Sequence, residues 1–203
     1  MKIIALIPAR KNSSRIKNKN MKIFKKKPLI LRTINIAKKI KSIHSIYVST
    51  DDENIIKLGL KSGVHVPWKR PKKLSTGKST TESVILHFLA WYKKKKGKVD
   101  AILLLQPTSP FRKINSINKA LDAFRKNPKK NIISFSEKYR KSIRTKKKIK
   151  KLKINGSLYV LSVKLIKKKK KIINLPFKKF IQKSHKESID LDFISQWKNA
   201  EKL

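Results

Sequence analysis

Cysteine is absent from this chain, which excludes disulfides and thiolate-held metals at the outset. The absence fits a reducing compartment, and the expected location is cytoplasmic. No apolar run approaches the roughly 18–20 residues of a membrane span. Residues 1–8 carry one basic side chain and an apolar run only as long as a buried strand, and the polar stretch 10–20 follows. That pattern predicts a first strand rather than a signal peptide. Acids are scarce: 11 Asp and Glu face 55 Lys and Arg, a net charge of +44. The four histidines, His44, His65, His87 and His185, share no metal-ligand spacing. His87 falls in an apolar helical pattern and is expected to pack. The phosphate loop G-x-x-x-x-G-K-S/T is also missing, because Gly77-Lys78-Ser79-Thr80 matches its tail but lacks the first glycine.

The cations that are present are nearly all Lys and are strewn along the chain, beside abundant Ile and Asn. Arg, the better fork for bases and phosphates, is scarce. This reads as the composition of an AT-rich genome rather than a nucleic-acid interface, so nucleic acid is not the expected partner. The field still draws in anionic substrates.

A length of 203 residues suits a single α/β domain over 1–203. Short β-branched or Leu-rich runs at 2–7, 45–49, 101–105 and 131–135 predict buried parallel strands. Helical periodicity lies between them: Ile85, Phe88, Leu89 and Tyr92 share one face, as do Ile114, Ile117, Leu121 and Phe124. Residues 29–40 form another candidate. Repeated β-then-α predicts a mostly parallel central sheet flanked by helices. The alternation breaks at the basic stretch 138–153, expected to be an exposed loop or hairpin. Residues 157–163 then read as a strand and 167–171 as a solvated basic stretch. Ile194, Trp197 and Ala200 predict a last helix with Asp192 as its N-cap. Trp68, Trp91 and Trp197 are expected in the core or an interface.

Three segments carry chemistry. Residues 7–20 end a strand in a polar loop, and in open α/β sheets ligands bind at such carboxyl ends. Backbone amides with Arg10, Arg15 and Lys19 suit a polyphosphate there, although a solvated loop reads the same way in so basic a chain. Residues 103–112 end a second strand at Gln106, whose amide both donates and accepts. In the third segment Asp190 and Asp192 stand two apart, on one side of an extended chain. Two oxygen ligands beside a triphosphate suit Mg²⁺; the alternative is a cap and an exposed acid.

Together the segments resemble the acylneuraminate cytidylyltransferase family, which makes CMP-activated sialic, pseudaminic and legionaminic acids. Pro8-Ala9-Arg10 and Lys19-Asn20 match its opening motif, and Val48-Ser49-Thr50-Asp51-Asp52-Glu53 its second strand and turn. Arg70-Pro71-Lys72-Lys73-Leu74 is similar to its R-P-x-x-L segment. Leu104-Leu105-Gln106-Pro107-Thr108-Ser109-Pro110-Phe111-Arg112 is similar to its most specific motif. Asn155-Gly156-Ser157-Leu158-Tyr159 resembles its N-G-x-x-Y, and Ser188-Ile189-Asp190-Leu191-Asp192 its S-x-D-I-D.

The resemblance implies a Rossmann-like nucleotidyltransferase fold, commonly dimeric, that transfers CMP from CTP to the anomeric hydroxyl of a nonulosonic acid. By position, Arg10, Ser13, Arg15, Lys19, Asn20, Arg70 and Thr81 would contact the nucleotide. Gln106, Asn155 and Tyr159 would meet the nine-carbon acidic sugar. Asp190 and Asp192 would hold Mg²⁺ and, with Arg10 and Lys19, carry catalysis. The family's G-G-S-K is here Lys11-Asn12-Ser13-Ser14, Gly77 replaces an acid, and the insertion around 138–153 is short and basic. These departures leave open a different sugar or nucleotide, or a fold retained as a basic binding protein.

Overall fold

The computed structural model describes residues 1–141, 148–169, 172 and 175–203. A six-stranded sheet has the order β4-β1-β5-β7-β6-β8. Its strands are β1 (Ile3–Pro8), β4 (Ile46–Ser49), β5 (Ala101–Leu104), β6 (Asn131–Lys141), β7 (Lys148–Ser162) and β8 (Phe177–Gln182). A small hairpin pairs β2 (Ile23–Phe24) with β3 (Lys27–Pro28). The four strands expected from sequence all form and run the same way. Only β4, β1 and β5 are parallel neighbours, however, because β7 enters antiparallel between β5 and β6. β8 adds parallel to β6 at the edge.

β1 shows why the sheet sits between two layers. Ile3, Ala5 and Ile7 face one core with α1 (Leu29–Lys38) and α4 (Ile114–Lys126). Ile4 and Leu6 face the other, with α3 (Thr81–Lys96) and α5 (Val163–Lys169). A strand buried on both faces has no polar side to alternate, so its sequence is a continuous apolar run. Ile117, Leu121 and Phe124 of α4, and Ile85, Phe88, Leu89 and Tyr92 of α3, are buried as their spacing predicts. Helix α2 (Glu53–Lys61) starts on Asp52, whose carboxylate accepts the Asn54 N–H at 2.8 Å.

The basic stretch pairs as a β6–β7 hairpin, with residues 142–147 outside those described. Of the stretch 167–171, residues 167–169 continue α5, and 170–171 lie outside the described residues. The last helix, α6 (Ile194–Glu201), is capped differently from expectation. Phe193, not Asp192, is its N-cap residue, and Gln196 Oε1 accepts the N–H of both Asp192 and Phe193 at 2.8 Å. The Asp192 carboxylate is thereby left for other partners. Trp197 is buried against Phe24 in a satellite core, and Trp68 and Trp91 pack half-buried around Phe88.

Candidate functional site

The connection from β1 leads to β4 on one side, and that from β5 leads to β6 on the other. A crevice opens at the carboxyl ends of strands where connections diverge in this way. A cleft of about 430 Å³ lies there, lined by Arg10, Ser13, Arg15, Lys19, Asn20, Arg70, Thr81, Gln106, Asp190 and Asp192, among others. Ten of the twelve residues nominated from sequence therefore meet. Asn155 and Tyr159 are not among its lining.

One wall is the loop after β1. Ile16 and Asn20 are buried and anchor it, and Asn20 Nδ2 donates to the Arg10 carbonyl at 2.9 Å. Asn18 takes φ +51°, a left-handed turn that Asn tolerates, and its carbonyl accepts the N–H of Met21 and Lys22. Asp51, at the end of β4, accepts the Lys11 N–H at 2.8 Å and pairs with Arg70 at 3.5 Å. One carboxylate thus joins the loop to the nearly buried Arg70. Burial lowers the Arg70 pKa while Asp51 pushes it back up. Arg10 crosses the cleft mouth to donate to the Thr76 carbonyl at 2.6 Å. Thr80 caps α3 by accepting the Ser83 N–H, and the amide end of that helix opens on the cleft beside Thr81. Helix N-termini favour anions.

The opposite wall carries the carboxylate pair, and Leu191 between them explains its direction. Leu191 is fully buried in the satellite core with Phe24 and Trp197, and its N–H donates to the Thr108 carbonyl at 2.8 Å. In an extended segment the residues on either side then face the other way, into the cleft. Glu187 is buried just upstream and accepts the Lys113 N–H at the start of α4, fastening the segment. Asp192 holds Lys19 at 2.9 Å and Arg15 at 3.2 Å, and Arg15 also lies over the Phe193 ring at 4.6 Å. Asp190 differs: its Oδ1 is buried with no hydrogen-bond partner. Burial raises its carboxyl pKa, and Asp192 adds to the rise, against Thr108, Lys19 and Arg112.

Asn155 is consumed structurally. Between Ile133 and Phe135 of β6 the partner on β7 jumps from Tyr159 to Ile154, so residues 155–158 bulge from the strand. Asn155 Oδ1 accepts from Ser134 Oγ at 2.6 Å and from the Ser157 N–H at 3.1 Å. Its Nδ2 donates to Gln182 at 2.7 Å. The bulge thrusts Gly156 toward the cleft, so that a Cβ there would stand 3.0 Å from Gln106 Oε1 and 3.7 Å from Asp190 Oδ2. Tyr159 lies on β7 behind the bulge, where burial first and Asp190 second push its phenol up to about 12.

Sequence reasoning gave no role at the site to Asp51, Glu187 or Arg112, although Asp51 and Arg112 fall within the matched motifs. Scarcity was the available signal: among 11 acids, Asp51, Glu187, Asp190 and Asp192 all build this region.

Fold and cleft define the class, a nucleotidyltransferase of Rossmann-like architecture. A CMP:2-keto-3-deoxy-manno-octonic acid synthetase complexed with CTP shares the fold, with a TM-score of 0.76 at 15% identity over 100% of this chain and 98% of that one. The chain belongs to the cytidylyltransferase family, whose model matches residues 4–203. It is 33% identical to the CMP-N,N'-diacetyllegionaminic acid synthase of Legionella pneumophila, covering 100% of this chain and 96% of the relative. An N-acylneuraminate cytidylyltransferase of Streptococcus agalactiae is 35% identical over 68% of this chain and 32% of its own length. A pseudaminic acid cytidylyltransferase of Campylobacter jejuni is 31% identical over 68% and 59%.

Proposed function

We propose that this chain transfers CMP from CTP to the anomeric hydroxyl of a nonulosonic, sialic-type acid, releasing pyrophosphate. The carrying observation is the end-to-end likeness to the Legionella synthase, at 33% identity over nearly the whole of both chains. A legionaminic-type acid is therefore the first acceptor to test. The cleft supports the reading, because its two walls differ in chemistry. Arg10, Arg15, Lys19, Arg70 and the amide end of α3 suit a triphosphate, and Gln106 beside Asp190 suits a hydroxyl-rich acceptor.

In the reaction the sugar hydroxyl attacks the α-phosphorus in line, the bond to the β-phosphate bridge breaks, and the hydroxyl proton is lost. Most of the acceleration comes from holding the two substrates together and balancing charge. Lys19 and Arg10 sit where phosphate charge accumulates. Asp192 keeps Lys19 and Arg15 folded toward the cleft until a nucleotide competes for them.

Asp190 and Asp192 also fit Mg²⁺. They face one way, and the buried Oδ1 of Asp190 lacks a partner. Two carboxylates are enough for an ion that takes few of them and fills its shell with waters and phosphate oxygens. When bound, the ion would polarise phosphate oxygens as a Lewis acid.

The test is pyrophosphate release from CTP and Mg²⁺ with N-acetylneuraminic, pseudaminic and legionaminic acids. Turnover with at least one is expected; none with any, by folded protein, refutes the reading. Asp190→Asn with Asp192→Asn is expected to abolish metal-dependent turnover at an unchanged circular dichroism spectrum. The reading carries a homodimer in the cytoplasm, the first checked by light scattering. No helix among the described residues is long and apolar enough to cross a membrane.

A further inference from the structure

Arg112 does not line the cleft, yet it is only 6% exposed and all three of its guanidinium nitrogens donate hydrogen bonds. Nε donates to the Ser157 carbonyl and Nη2 to the Gln106 carbonyl. Nη1 donates to the Ser109 carbonyl at 2.6 Å and to Thr33 Oγ1 at 3.2 Å. These four acceptors come from the loop after β5, the bulge of β7 and helix α1. None is a carboxylate. Burial pulls the guanidinium pKa down to about 9, with Asp190 pushing it back.

A cation buried against neutral acceptors alone is a poor device for stability, since desolvation is costly and an apolar side chain would fill the space at less expense. What it does supply is a rigid planar fork that fixes several backbone groups relative to one another. Two of those groups bracket the cleft. The Gln106 carbonyl belongs to the residue whose side chain enters it. The Ser157 carbonyl adjoins Gly156, which at φ +72° leaves the notch occupied by Gln106 Oε1. Arg112 therefore grips both sides of that notch.

We infer that Arg112 is the positioning residue for Gln106, setting its amide at the acceptor end of the cleft by tying the loop after β5 to the β7 bulge. The inference deepens the proposed function and rests on it in reading Gln106 as the sugar contact.

The experiment has two arms. The first is NMR of side-chain amides in full-length protein, with the Gln106 pair assigned by its loss in Gln106→Ala. Arg112→Lys keeps the charge, but its single nitrogen cannot span the four acceptors. The Gln106 pair is expected to shift or broaden in this variant. An unmoved pair overturns the inference whether or not the protein turns over.

The second arm is steady-state kinetics. A displaced contact raises the KM for sugar about tenfold while the KM for CTP stays within about twofold. Equal rises in both, or a fall in kcat with neither KM moved, overturn the positioning role. If Gln106→Ala itself weakens both substrates alike, the reading of Gln106 fails, and the NMR arm alone decides Arg112. Should Arg112→Lys not fold, Thr33→Val removes one of the four ties. It is expected to move the Gln106 pair in the same direction and to raise the sugar KM about threefold. No movement there overturns the inference.

Discussion

Asp190 is a carboxylate held where ionisation is disfavoured, with one oxygen buried and unbonded. Burial disfavours the charged form of a carboxyl whose surroundings do not fully pair it. Asp190→Asn removes the charge and keeps the shape, so the ligand-free variant is expected to melt at a higher temperature than the wild type at neutral pH. Its turnover should be lost. The sign of the pH dependence follows from the raised pKa. At low pH the wild-type carboxyl is protonated and the penalty vanishes, so the gap between the two proteins closes as pH falls. Thermal melts of both proteins at neutral pH and at successively lower pH check this. A gap that widened in acid would contradict it. Tyr159 gives the alkaline counterpart. Its phenol, raised to about 12, stays neutral in the folded chain while the unfolded chain ionises near the ordinary value of 10.0. That contribution is complete below pH 10 and lost as pH climbs toward 12, by up to about 2 kcal/mol. Tyr159→Phe is expected to flatten this loss in denaturant titrations.

At the scale of elements, the β2–β3 hairpin turns on Lys25 and Lys26 at φ +46° and +68°. Two consecutive left-handed residues form the turn for which Asn-Gly is the favoured pair. Replacing Lys25 with Asn and Lys26 with Gly is expected to stabilise the protein by about 1 kcal/mol, read as a higher denaturation midpoint at unchanged slope.

Elements with a regular apolar period were legible in the sequence: β1 and α3 bury the residues their spacing nominated, and α4 buries all but Ile114, which opens the helix half-buried. Helix α2 was not, because its second buried position is Gly59, which carries no hydrophobic signal and sits where a Cβ would meet Val66 at 2.8 Å. The direction of β7 was illegible for another reason. Apolar alternation gives which faces are buried, not which way the strand runs between its neighbours. At the site, motif order placed Gln106 and the carboxylates in one cleft. It could not separate Asn155, whose polar atoms are spent inside the bulge, from residues that face a ligand.

For the whole molecule the governing quantity is the net charge of +44 on 203 residues. Like charges at this density repel in the compact state, and added salt screens them over a Debye length of about 10 Å at 0.1 M. The same screening weakens capture of anionic CTP. Raising NaCl is therefore expected to act in opposite senses, increasing Tm while lowering kcat/KM for CTP. A calorimetric scan and an initial-rate series over the same salt range check the pair. A rate insensitive to salt would show that the general field contributes nothing to nucleotide capture.

Leu191 gives the late segment a parity. One apolar residue, seated beneath Trp197 and bonded to Thr108, determines that its two neighbours look outward together. Chemistry there is consequently indexed by chain length as well as by residue identity. Inserting a single alanine between Asp190 and Leu191 would leave every acid in the chain yet separate the pair by three residues rather than two, with one of them turned toward the oil.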